Sequence, residues 1–199
     1  VTPNDHVNMG QSSNDVIPTA IHLSAAIAVN ESLKPALVAL QATIDRRADE
    51  LSHVVKTGRT HLMDAMPLRM DQELGAWSSQ VGQAIERFDS AMVRLCRLAQ
   101  GGTAVGTGIN SFDGFGQLVA DEISKLTDLP FITAENKFEA LGGQDCIVEL
   151  SGSLKTVAAS LFKIANDGLT SKFVSYMMSN SFSDFEENLV MTHPWVRGA

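Results

Sequence analysis

Three polar clusters interrupt a sequence otherwise rich in apolar residues. The first is Asn4-Asp5-His6-Val7-Asn8-Met9-Gly10-Gln11-Ser12-Ser13-Asn14-Asp15, leading into an apolar stretch. Ser, Asn and Asp are the preferred helix caps, and Pro18 suits a first turn, so capping is one reading. A single cap needs one such residue, and far more stand here. Hydroxyls, an amide and free N–H groups at a helix N-terminus also make an anion site. The second cluster is Thr57-Gly58-Arg59-Thr60-His61-Leu62-Met63-Asp64-Ala65, between two long helical segments. Gly58 permits close backbone approach, Arg59 and Asp64 can pair, and His61 is the best-placed residue for proton transfer or for orienting a substrate, with Thr60 beside it. His6, His22, His53 and His193 have weaker contexts. The third cluster is the glycine-rich run from Gly101 to Asn110. It lacks the Lys-Ser/Thr ending of a phosphate loop and follows a helix instead of a strand. It reads as a tight connection exposing backbone amides and the Thr103 and Asn110 side chains.

Long helices must position these clusters. Met70, Leu74, Trp77, Val81, Ile85, Phe88, Met92 and Leu95 form one seam at alternating steps of three and four. Ile147, Leu150, Leu154, Val157, Leu161 and Ile164 form a second. Val16, Ala20, Leu23 and Ile27 start a third, resumed by Leu37, Leu40, Ile44, Ala48 and Leu51. This is helical periodicity close to a heptad, and no segment supports strands comparably. Pro35 should kink or break the first long helix. If residues 15–55 were continuous they would extend about 60 Å, roughly twice a small domain's diameter. The expectation is therefore an all-α long-helix bundle, incomplete by itself, whose core is finished by homo-oligomerisation. Ala25, Ala26, Ala28, Ala158 and Ala159 would let further neighbours approach. A monomeric four-helix bundle is the alternative.

Composition narrows the classes. Of 199 residues, 44% are hydrophobic and only 19% charged, with 15 Lys and Arg against 23 Asp and Glu for a net charge of −8. Such a chain has no basic stripe with which to neutralise nucleic-acid phosphates. The low charged fraction suggests surface covered by assembly. Cys96 and Cys146 stand fifty positions apart in helical surroundings and read as reduced, buried small hydrophobes, not a disulfide or metal pair. The longest uncharged runs, Val16–Asn30 and Leu98–Phe112, are too short to span a bilayer, and no secretory signal pattern is present. The chain opens at Val1 on a turn-like Thr2-Pro3-Asn4-Asp5, as a piece of a longer chain would.

Four motifs occur in a telling order: Gly10-Gln11-Ser12-Ser13-Asn14-Asp15, Thr60-His61-Leu62-Met63-Asp64-Ala65, the Gly101–Asn110 run, and Asn136-Lys137-Phe138-Glu139-Ala140-Leu141. Together, over residues 1–167, they resemble the aspartase/fumarase superfamily, most closely class II (iron-independent) fumarate hydratases. The Asn-Lys-Phe-Glu-Ala-Leu run points to fumarases, since aspartate ammonia-lyases typically differ there. The resemblance implies the central long-helix bundle of that superfamily, a homotetramer, and reversible hydration of fumarate to L-malate without metal or organic cofactor. It places Ser12, Ser13 and Asn14 on a substrate carboxylate, with Thr60 and His61 lining the same pocket and His61 in the proton-transfer network. Thr2, Pro3, Asn4 and Asp5 match a second dicarboxylate site, where the family usually carries His at the position of Thr2. It implies a cytoplasmic enzyme, or a mitochondrial one in a eukaryote.

Three segments are expected: 1–14 as the end of an N-terminal domain with the substrate turn, 15–167 as part of the bundle, and 168–199 as a divergent tail. The tail carries Met177-Met178 and acidic Asp184, Glu186 and Glu187, and no seam continues through it. The family's Gly-Ser-Ser-x-Met-Pro-Gly-Lys-x-Asn-Pro loop, bearing the serine that acts as base, does not occur in the 199 residues. Its active sites also combine segments from three subunits. This chain alone is therefore expected to have little or no hydratase activity. An ammonia-lyase sharing the pocket, and a non-catalytic helical assembly module, are the alternatives.

Overall fold

Ser12 opens the first helix of a computed structural model that describes residues 1–61 and 63–170. Its extended backbone and side chain form a capping box with Asp15, which starts α1 at Ser13–Ala28. Pro18 lies inside α1 and not in its first turn. A π-helical turn, Val29–Leu33, then leads into α2, Lys34–Glu50. The Lys34 N–H reaches back to the Val29 carbonyl, five residues earlier. Pro35 explains this, because its ring removes one N–H and crowds the preceding turn, and the wider turn absorbs the clash. Proline thus widens the expected long helix locally, and α2 ends at Glu50.

The segment between α2 and the next helix differs from expectation. Instead of a loop, Val55–Thr60 (β1) and Met63–Arg69 (β2) pair as an antiparallel hairpin with Thr60 opposite Met63. The register shifts between Thr57 and Arg59. Both strands are mostly exposed, so they carry none of the apolar alternation by which strands are read. After it come α3 (Met70–Leu95), β3 (Arg97–Leu98), α4 (Phe115–Thr127), β4 (Ile132–Thr133), α5 (Lys137–Gly142) and α6 (Asp145–Thr170). β3 and β4 pair in parallel over two residues each. The fold class is all-α, built on long helices, with these short strands as additions. Of the expected tail, residues 168–170 belong to α6 and the remainder lies outside the described residues.

Two units are distinguished: Val1–Lys34 with Glu86–Ser153, and Pro35–Ile85 with the described residues from Leu154 on. The second unit buries Leu37, Leu40, Ile44 and Ala48 of α2, Met70, Leu74, Val81 and Ala84 of α3, and Val157 and Ile164 of α6. These are seam positions of the sequence, apart from Ala84. Lys56 of β1 and Glu73 of α3 add an ion pair.

In the first unit, Phe88, Leu95 and Leu98 are sealed from solvent with Ala26, Ala91, Ala99 and Ala120. Here α1 corrects the expected face. Asp15, Pro18, Thr19, His22 and Ala26 are buried, while the predicted stripe Val16, Leu23 and Ile27 is half-buried and Ala20 exposed. The polar members can turn inward because Asp15 and His22 find partners on residues 75 to 88 positions away. The same partners bear on a helical run, Ser13–Glu50, that is long and apolar enough to cross a membrane by length and composition. The expectation that the apolar runs are too short for a bilayer is thereby corrected as to length, while Asp15 and His22 on this run have their hydrogen bonds within the protein.

Candidate functional site at the start of the first long helix

Asp15 is the centre of the polar chemistry of the first unit. Its side chain is fully buried. One carboxylate oxygen accepts from the Ser12 N–H at 2.9 Å, closing the capping box. The other accepts from Gln100 Nε2 at 3.2 Å, Gly101 N–H at 3.0 Å and Thr103 N–H at 2.9 Å. Four donors on one carboxylate satisfy its lone pairs and offset the cost of burying its charge.

The glycine-rich run makes this possible. Gly101 has φ +94°, and a Cβ there would stand 2.8 Å from Gly116 Cα, so only glycine fits. Thr103 adopts the left-handed region at φ +56° and is buried, while Asn110, at φ +65°, is exposed. Two expectations are thereby corrected. The Gly101 and Thr103 amides are spent on Asp15 and not offered to a ligand, and the Thr103 side chain faces inward. Asn110 is exposed as expected.

Ser12, Ser13 and Asn14 stand together at the N-terminus of α1. Ser12 Oγ accepts from the Asn14 N–H at 3.2 Å, so the capping reading is realised for Ser12. Asn14 Nδ2 donates one hydrogen to the Ala104 carbonyl at 2.7 Å and has a second to offer, beside the exposed Ser13 hydroxyl. Ser13 and Asn14 line an open cleft of about 630 Å³ with Ile17, Val105, Phe138 and Leu141. A small anion there would meet hydroxyl and amide groups and the positive end of a 16-residue helix.

Thr2, Pro3, Asn4 and Asp5 sit at a π-helical turn, Pro3–Val7, for which Thr2 is the cap. The Thr2 hydroxyl donates to Asp5 Oδ2 at 3.0 Å, and the Thr2 N–H donates to His6 Nδ1 at 3.1 Å. His6, weak by its sequence context, thus belongs to this group.

Thr60 and His61 belong to the second unit. His61 is the first turn residue of the β1–β2 hairpin, exposed, with φ +51°. A non-glycine residue held in that region is unusual, and such residues concentrate at functional sites. Gly58 does what its sequence position implied: a Cβ there would stand 2.6 Å from the Met66 carbonyl oxygen. Arg59 and Asp64 pair at 3.6 Å across the exposed hairpin.

Lys137 was visible only as part of a motif. Its Nζ donates to the Leu98 carbonyl at 2.9 Å and to Thr133 Oγ1. It borders a smaller cavity of about 280 Å³ with Ser111, Gly116 and Thr133. Burial pushes its amine down to about 8, against the opposing pull of the Asp15 charge. The S-x-x-D spacing of Ser12 and Asp15 was the available signal for Asp15. For Lys137 no local pattern existed. Among the described residues no group of three or more His, Cys, Asp or Glu could hold a metal ion.

Known proteins share this arrangement of sequence and fold. The sequence model of a family described as Lyase matches residues 1–193. Mitochondrial fumarate hydratase of Schizosaccharomyces pombe is 52% identical over 167 residues, covering 84% of this chain and 32% of that protein. Fumarate hydratase class II of Xylella fastidiosa (strain Temecula1) is 56% identical over 167 residues, covering 84% of this chain and 35% of its own. The crystal structure of recombinant class II fumarase from Schistosoma mansoni superposes with a TM-score of 0.82 at 42% identity, over 84% of this chain and 38% of that one. The chain thus spans about a third of the length of the curated relatives it matches. It belongs to this lyase family, and within it is similar to class II fumarate hydratases of the aspartase/fumarase superfamily.

Proposed function

We propose that this chain is part of a class II fumarase-type lyase, which adds water reversibly to fumarate to give L-malate. The observation that carries the reading is the identity of 52 to 56% with fumarate hydratases across 167 residues, 84% of the chain. The organisation expected from the sequence goes with it: a substrate turn at the end of residues 1–14, a bundle portion over 15–167 and a divergent stretch from 168.

In this reading Ser13 and Asn14, held by Ser12 and Asp15 at the mouth of the cleft, bind one substrate carboxylate. Removing a proton from the carbon beside a carboxylate builds negative charge on that carboxylate. Hydroxyl and amide donors fixed beforehand, with the helix dipole behind them, stabilise that charge more than the ground state, typically by several kcal/mol. Such local donors matter because a net charge of −8 repels a dianion at long range. Thr60 and His61 contribute to the same pocket in the assembled enzyme, His61 in the proton-transfer network. Thr2, Pro3, Asn4 and Asp5 form a second dicarboxylate site, and no metal or organic cofactor takes part. The assembly is a homotetramer, each active site drawing on three chains, in the cytoplasm or in mitochondria of a eukaryote.

The catalytic serine loop is missing from the 199 residues, so the chain by itself consumes fumarate slowly or not at all. The test is co-assembly with a full-length class II fumarase whose own serine turn has been inactivated by substitution. Recovery of L-malate formation in mixed oligomers supports the reading. Mixed oligomers that form but stay inactive overturn it.

A further inference from the structure

His22 takes no part in the substrate reading, although it is only 5% exposed in the first unit. Its Nδ1 stands 3.0 Å from the backbone carbonyl of Arg97 in β3. A carbonyl can only accept, so Nδ1 carries the ring proton and Nε2 keeps its lone pair. That lone pair faces Cys146 Sγ at 3.1 Å, in the first turn of α6, and the thiol donates to it. A nucleophile, a base and an acceptor orienting the base therefore come from three different elements. This is the general pattern of an activated thiol.

Its surroundings select the reagent. Cys146 is half-buried, whereas Cys96 is 3% exposed. Burial, aided by the charges of Glu139 and Glu149, pushes the Cys146 thiol up, so little thiolate stands ready. Reaction then depends on a base that removes the proton as the new bond forms; the Glu149 charge is paired with Arg94, and the Glu139 charge disfavours an anionic reagent.

We propose that Cys146 is a modification site for small, neutral α,β-unsaturated carbonyl compounds, with His22 as its general base. His22 Nε2 takes the thiol proton while Sγ bonds to the β-carbon. The π pair of the double bond moves to the α-carbon, which then recovers the proton from the imidazolium. Nothing is oxidised and nothing leaves.

N-ethylmaleimide on the intact folded chain, followed by peptide mass spectrometry, tests this, with Cys96 as the internal reference. Cys146 should be labelled at least about tenfold faster than Cys96, and His22→Gln should slow Cys146 by about tenfold or more. Because His22 is buried, a second readout uses the unaltered chain. Native Cys146 should react faster than the same cysteine in urea-unfolded chain at the same pH, the reverse of what exposure alone dictates. A folded His22→Gln chain with an unchanged Cys146 rate overturns the proposal, as does native Cys146 reacting more slowly than the unfolded residue.

Discussion

Replacing Asp15 by Asn tests how the substrate turn and the glycine-rich run are held together. The substitution keeps size and shape but removes the charge and turns one acceptor into a donor. Ser12 N–H approaches one carboxylate oxygen, and Gln100 Nε2, Gly101 N–H and Thr103 N–H approach the other. Whichever way the new amide is oriented, its NH2 group faces at least one N–H group and leaves buried donors without an acceptor. A hydrogen bond to a charged group contributes about 1.5–3 kcal/mol, and a stranded buried donor costs about 1–3 kcal/mol. These effects share one group and do not add in full, so a loss of about 3–5 kcal/mol is expected. Against a total stability on the order of 5–15 kcal/mol, that is a large fraction. Urea unfolding followed by circular dichroism should show a lower midpoint with an unchanged slope. Hydrogen exchange should show the Gly101 and Thr103 amides losing protection. A loss below about 1 kcal/mol, with both amides still protected, would refute the reasoning that Asp15 is the link.

Three further outcomes follow from the same geometry. Gly101→Ala should cost at least about 2 kcal/mol in the same unfolding assay, because φ +94° and the 2.8 Å approach to Gly116 Cα combine strain with overlap. Lys137 loses its proton at about 8 when folded and near 10.5 when unfolded, so between these values the unfolded chain binds more protons and stability rises with pH. Thermal melts from pH 8 to 10.5 should show Lys137→Met lacking that contribution relative to the unaltered chain; parallel curves would contradict it. His61→Gly should stabilise the hairpin by about 0.5–1 kcal/mol by relieving the left-handed backbone at φ +51°. A destabilised hairpin would show that the His61 side chain makes a stabilising contact.

The helical character was legible wherever apolar residues carry the packing. Leu37, Leu40, Ile44 and Ala48 fall on the buried face of α2 as their spacing requires. The face of α1 was misread because burial there follows Asp15, Thr19 and His22, and a hydrophobic pattern registers such residues as exposed. The partners that reverse this, Gly101, Thr103, Arg97 and Cys146, lie far along the chain. The hairpin was invisible for a related reason. β1 holds one buried residue, Gly58, and β2 holds none among its described positions, so alternation had nothing to record. In the candidate site, the motifs located Ser12, Ser13 and Asn14 correctly at a helix start. What they could not convey is that the glycine-rich amides already serve an internal carboxylate.

The central claim is that the start of α1, fastened by Asp15, binds a dicarboxylate. Its most direct test is nuclear magnetic resonance of isotopically labelled chain titrated with fumarate. The account predicts shifts centred on the amides of Ser12, Ser13 and Asn14, diminished by Ser13→Ala. Saturating fumarate that leaves those amides unmoved, or that moves only residues remote from the cleft, would contradict it.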